Sequence, residues 1–112
     1  MVIIGFCAPA KTGKTTFLEH LIPHLLQENL VQGSIGVIKH CHHEPNDKPN
    51  SDSNRLRRSG AHHVRATNQP NFAQVLSLMP PCALILVEGF RSAPIPFILL
   101  HRGVKDKNWK AP

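Results

Sequence analysis

The segment Ala8-Pro9-Ala10-Lys11-Thr12-Gly13-Lys14-Thr15 constrains this chain more than any other. An apolar run, Val2 to Cys7, leads into it. Behind it Phe17, Leu18, Leu21, Ile22, Leu25 and Leu26 recur at helical spacing on one face. A buried strand that passes through a glycine-bearing loop into an amphipathic helix brings backbone N–H groups and the positive end of the helix to one point, where an anion fits. The pattern Ala-x-x-x-x-Gly-Lys-Thr is a Walker A element with Ala8 where glycine is commoner. Gly13 supplies a backbone conformation that a Cβ would hinder. Lys14 is expected at the β- and γ-phosphates and the Thr15 hydroxyl in a Mg²⁺ shell, with Ala10, Lys11, Thr12 and Thr16 as further phosphate contacts. Lys11 also reads as a solvated loop charge, since the extra signature lysine of some ATPases would fall at Pro9. The competing account of the segment is a glycine turn capping an ordinary helix; the strand before it and the helix after it argue against that.

Downstream, Pro23 predicts a kink in the helix, because it removes the hydrogen bond its N–H would give to residue 19. Gly33 marks the helix end or the turn after it. Ile35 to Lys39 reads as a second strand, followed by a long polar loop, residues 40–54. Asp52 or Ser53 caps a short helix through Arg58 that ends at Gly60. His63 to Thr67 reads as a strand, Phe72 to Leu78 as a weak helix stopped by Pro80-Pro81, Cys82 to Val87 as the clearest buried strand, and Pro96 to His101 as the last strand. The alternation predicts an α/β fold, P-loop NTPase-like, with a mostly parallel sheet flanked by helices. Residues 1–103 are expected to form the nucleotide-binding domain and 104–112 a basic tail.

In open α/β sheets ligands bind at the carboxyl ends of the strands, so Glu88, which ends the Leu84-Ile85-Leu86-Val87 run, has the position of a Walker B carboxylate. It is expected to hold Mg²⁺ through water or to orient the attacking water. Lys39 and His40 are expected to line the site. Asp52, with Asp47, reads equally as a Mg²⁺ ligand and as a turn or cap residue. His40-Cys41-His42-His43-Glu44 offers zinc-type donors, but adjacent ligands rarely fit one tetrahedron and no second pair stands at finger spacing, so a polar loop facing the nucleotide is the favoured reading. Arg55, Arg57, Arg58, Arg65 and Arg91 read as a basic patch or as solvated charges.

Composition adds boundaries. A formal charge of +6 invites an anionic partner, yet the chain has no Tyr and no basic run interleaved with aromatics, so no nucleic-acid partner is expected. The three widely spaced cysteines make a poor disulfide framework, and Cys7 and Cys82 read as small core residues. No apolar stretch suits a bilayer and no basic stretch precedes the N-terminal apolar run, so no membrane contact, no signal peptide and a cytoplasmic location are expected.

The ordered set Lys14-Thr15-Thr16, Ile38-Lys39-His40 with His42-His43, Asp52-Ser53 with Arg57, Gly60-Ala61, Val87-Glu88-Gly89-Phe90 and Pro94-Ile95-Pro96 resembles the molybdopterin-guanine dinucleotide biosynthesis adaptor (MobB) family, over nearly the whole chain to Arg102. The resemblance implies a homodimeric protein that binds GTP and Mg²⁺, hydrolyses GTP weakly and assists the molybdenum cofactor guanylyltransferase. In it Gly13, Lys14, Thr15 and Thr16 hold phosphates, Lys14 and Glu88 serve hydrolysis, and Thr15, Glu88 and Asp52 serve the metal. The chain departs from the family at Ala10-Lys11, where Ser-Gly is usual, and at Asn50-Ser51, where Gly-Lys is usual; it is also shorter. It carries no Asn-Lys-x-Asp guanine-reading motif, so GTP rather than ATP follows from the resemblance alone. No water-activating Gln or arginine finger can be named, in keeping with slow turnover. The alternatives are a small P-loop kinase or other phosphoryl-transfer enzyme, and a module that binds anions without turnover.

Overall fold

The computed structural model describes residues 1–8, 13–41 and 51–100. Its elements are β1 (Val2–Cys7), α1 (Lys14–Gln27), β2 (Ile35–His40), α2 (Asp52–Arg58), β3 (His63–Thr67), α3 (Phe72–Ser77), β4 (Leu84–Glu88) and β5 (Phe97–Leu99). The expected bounds of β1 and β3 match, and the others shift by a residue or two at their ends. Ala10, Lys11 and Thr12, the loop residues His42, His43, Glu44 and Asp47, and the expected tail 104–112 all lie outside the described residues.

The structure settles one helix end that the sequence left open and moves one helix cap. Helix α1 continues through Pro23 to Gln27 with Glu28 as its C-cap, so of the two readings of Gly33, helix end or following turn, the second holds. Asn29 takes φ 52°, its N–H donates to Leu26 O at 3.3 Å, and the Leu30 N–H donates to Leu25 O at 3.0 Å. This is a Schellman end with asparagine in the left-handed position, and it satisfies two carbonyls the helix leaves over. Gly33 belongs to the turn that follows. Helix α2 is capped one residue earlier than expected: Ser51 Oγ accepts from the Asn54 N–H at 3.4 Å, which leaves the Asp52 carboxylate available for other work.

All five strands are parallel, in the order β3-β2-β4-β1-β5. The central strand β4 is buried along its whole length, as a strand covered on both faces must be. Alternate side chains serve two cores. Leu84 and Leu86 point with Ile35, Val37 and Phe6 to the side where α1 contributes Leu18 and Ile22 and α2 contributes Leu56. Ile85 and Val87 point with Ile38 to the other side, against Val75 of α3 and Phe90. Cys7 and Cys82 are buried and unpaired by disulfide, as expected of small core residues. Phe17 departs from the expected buried stripe: it is 40% exposed and leans on Phe6 with ring centroids 5.7 Å apart.

The same alternation positions the site. Glu88 follows Leu84 and Leu86 in phase, and Lys39 follows Ile35 and Val37, so both project toward α1 and α2 at the carboxyl ends of their strands. Leu86 is the residue on which the larger core converges from the middle strand. Leu86→Ala should lower unfolding free energy by about 2–5 kcal/mol, read from urea denaturation with an unchanged slope.

Candidate functional site

Strand order brings the expected site residues together. β4 lies between β1 and β2, and the register sets Glu88 opposite both Lys39 and Phe6. The chain leaves β1 through α1 toward β2 and leaves β4 toward β5 on the opposite side, so the carboxyl ends of β1 and β4 form the switch point where open α/β sheets open a crevice. A cleft of about 480 Å³ lies there, lined by Ala8, Lys14, Lys39, His40, Glu88 and Arg91 among others.

Gly13 is the N-cap of α1, in the left-handed conformation at φ 86° and ψ 32°, and among the described residues no side chain caps the helix. The first turn holds no acidic residue, so the field of the helix N-terminus is not offset by a carboxylate of that turn. Lys14 begins the helix and Thr15 is buried behind it.

The electrostatic centre is Lys39. Its Nζ lies 2.9 Å from Asp52 Oδ2 and 3.0 Å from Glu88 Oε1. Burial alone would lower the ammonium's pKa, but the charges and hydrogen bonds of Glu88 and Asp52 outweigh it and hold it above the ordinary lysine value. Burial would likewise raise the Asp52 carboxyl; hydrogen bonding and charge from Lys39, a hydrogen bond from Thr15 and the nearby Arg55 instead hold it below the ordinary aspartate value. The residues expected at Mg²⁺, Thr15, Asp52 and Glu88, thus stand in one network, with Lys39 in the middle of it. Glu88 is 5% exposed, and its Oε2 is the buried side-chain oxygen without a hydrogen-bond partner among the described residues.

Other expected contacts have other partners. Arg55 forms ion pairs with Glu19 and, at 3.4 Å, with Asp52, and it donates to Thr16 Oγ1 at 3.4 Å. It is an internal tie between α1 and α2 and not a member of an open basic patch. Arg57 donates to Val64 O at 3.3 Å and to Asn54 at 2.9 Å. Arg91 stands beside Cys7, whose thiol burial pushes up while Arg91 and Lys14 pull it partway back. Among the described residues no group of three or more His, Cys, Asp or Glu side chains comes together as a metal cluster. His40 stacks on Phe90 instead, at 4.1 Å and 15° between ring planes, and Phe72 meets Phe90 edge-on at 5.3 Å. That aromatic wall was not legible as such: only the Phe after Glu88-Gly89 hinted at it. Gly89 makes it possible, because at φ 92° a Cβ there would come within 2.7 Å of His40 Cβ.

A parallel α/β sheet with a strand–Gly13–helix turn facing a carboxylate on the neighbouring strand is a P-loop NTPase-like fold. A family model described as Molybdopterin guanine dinucleotide synthesis protein B (MobB) matches residues 3–111, and the chain belongs to this family. It is 36% identical over 115 residues to the Molybdopterin-guanine dinucleotide biosynthesis adapter protein of Haemophilus influenzae, covering 89% of this chain and 63% of that protein. It is 36% identical over 117 residues to the protein of the same name from Escherichia coli K12, covering 89% of this chain and 65% of that one. The chain therefore spans under two thirds of the length of these relatives. No helix among the described residues is long and apolar enough to cross a membrane.

Two outcomes are expected from this geometry. Gly89→Ala should cost about 1–3 kcal/mol of stability, because the left-handed backbone and the His40 contact are both incompatible with a methyl group; thermal unfolding measures it. The Asp52 pKa is depressed and the Lys39 pKa raised by folding, so their pair stabilises fully between the ordinary aspartate and lysine ranges. The stability advantage over Asp52→Asn should be constant from about pH 6 to 9 and shrink as pH falls below about 4, read from denaturation at each pH.

Proposed function

We propose that this chain acts in molybdopterin-guanine dinucleotide biosynthesis as a cytoplasmic nucleotide-binding adapter: it binds GTP with Mg²⁺, hydrolyses it slowly, and assists the guanylyltransferase of that pathway. The observation that carries the reading is Gly13-Lys14-Thr15 at a strand-to-helix turn whose cleft is shared with Glu88 and Lys39, in a chain whose relatives are named for that biosynthesis.

In this reading the N–H groups at the start of α1 and the Lys14 ammonium hold the β- and γ-phosphates, with Lys39 supplying a second cation on the opposite wall. The donor set fits Mg²⁺: a buried hydroxyl on Thr15, the carboxylate of Asp52 and the unpartnered buried oxygen of Glu88 are hard oxygen donors. Bound there, Mg²⁺ would offset negative charge building on the phosphates. Glu88 orients water at the γ-phosphate, while no described side chain supplies a water-positioning amide in the cleft, which keeps turnover slow. Homodimer formation fits the exposed Ile98 and Leu99 on edge strand β5.

Calorimetry should detect GTP binding to the wild-type chain. Lys14→Ala should weaken it by at least about ten-fold with an unchanged circular dichroism spectrum, since Lys14 faces the cleft and not a core. Unchanged affinity in a folded Lys14→Ala protein would remove the phosphate role. Single-turnover assays with GTP and ATP, run with and without acceptors, separate the adapter from the alternative of a small kinase: phosphate transfer to an acceptor overturns the adapter reading. Retention of the guanylyltransferase by the immobilised chain tests the partnership.

A further inference from the structure

The position that a divalent cation would take between Asp52 and Glu88 already holds a positive charge. The Lys39 ammonium spans the two carboxylates at 2.9 and 3.0 Å. A hard dication bound to both would sit about 2.0–2.6 Å from their oxygens, so ammonium and metal compete for the same few ångströms and repel each other strongly within them. The ammonium also satisfies Glu88 incompletely, because Oε2 stays buried and unpartnered while Oε1 accepts from Lys39. A buried carboxylate with one satisfied oxygen is a poor final partner for a single ammonium. Lys39 in turn lines the cleft alongside Lys14, and its side chain is 18% exposed, so rotation of the flexible stem redirects the charge from the carboxylates into the cleft without moving the sheet.

We propose that Lys39 is a tethered counter-ion that keeps the cation site closed until an anion enters the cleft. Phosphate oxygens draw the ammonium across, the Asp52–Glu88 gap opens, and a divalent cation replaces it. With the lysine present the two carboxylates carry a net charge of −1; after exchange a dication neutralises them and the ammonium neutralises phosphate instead. Metal and nucleotide therefore bind cooperatively, and the cation alone binds poorly. This inference rests on the phosphate-binding reading for its trigger, but not for the closed cation site itself.

The test uses Mn²⁺ alone as the probe, without nucleotide, with free Mn²⁺ followed by electron paramagnetic resonance and folding by circular dichroism. Wild type should bind Mn²⁺ weakly. Lys39→Met and Lys39→Gln should each bind it at least about ten-fold tighter, and adding Glu88→Gln should return the affinity to the wild-type level. Equal Mn²⁺ affinity in wild type and both Lys39 variants would overturn the proposal. If the variants lose structure without metal, Mn²⁺ should restore it, and variants that stay unfolded in saturating Mn²⁺ would overturn the proposal equally. GTP calorimetry on the wild type keeps the two readings apart: absence of GTP binding with a retained gain of Mn²⁺ affinity would sink the nucleotide function and leave the counter-ion role standing.

Discussion

Everything distinctive about this molecule depends on the Lys39 ammonium held between Asp52 and Glu88. Glu88 is buried, and Lys39, in register with it on the neighbouring strand, places a positive charge 3.0 Å from one of its oxygens. The contact also joins α2, which no sheet bond reaches, to the paired strands β2 and β4. β2 supplies the cation, β4 the buried carboxylate, and α2 the half-exposed Asp52, which hydrogen-bonds in turn to Thr15 on α1. One side chain therefore ties the helix behind the Gly13 turn to the centre of the sheet.

The rest of the site is built around that tie by simple geometry. Parallel strands present all their carboxyl ends on one side, and the insertion of β4 between β1 and β2 makes those ends converge. Period-two alternation then decides which side chains serve the cores and which serve the cleft. Leu86 and Val87 go to opposite cores, and Glu88 comes into phase with the helix side where Lys39 and Thr15 wait. On the far wall, Gly89 lets the chain turn tightly enough for Phe90 to lie under His40. Membership of the MobB family is consistent with this arrangement, although the relatives are longer than the chain described.

Legibility in the sequence followed how local the determining interaction was. β1 and β3 are bounded by abrupt changes of residue type and could be read to the residue. The end of α1 could not, because Asn29 took the left-handed position that glycine usually fills, and only the backbone bonds reveal it. Asp52 was legible as either cap or ligand; Ser51 took the cap, and the choice turned on an adjacent hydroxyl. Parallel α/β character was visible in the apolar runs, but the order of strands was not, since neighbours in this sheet are far apart in the chain. For the same reason Lys39 and Glu88 could each be named as site residues while their direct contact stayed hidden. Arg55 could be read only as part of a basic patch or as a solvated charge, because its partner Glu19 lies on a different helix.

The strand order also governs when the site comes into being. β1 and β2 are consecutive strands, yet neither touches the other; the space between them is reserved for β4. On a chain emerging from the ribosome, the N-terminal strand has no sheet neighbour until residues 84–88 arrive, because its partners are β4 and β5. The strands β2 and β3 can pair first, as a local unit, while the turn at Gly13 waits. The cleft end of the molecule is thus among the last parts to be assembled, and the segment that completes it is the one that carries its carboxylate.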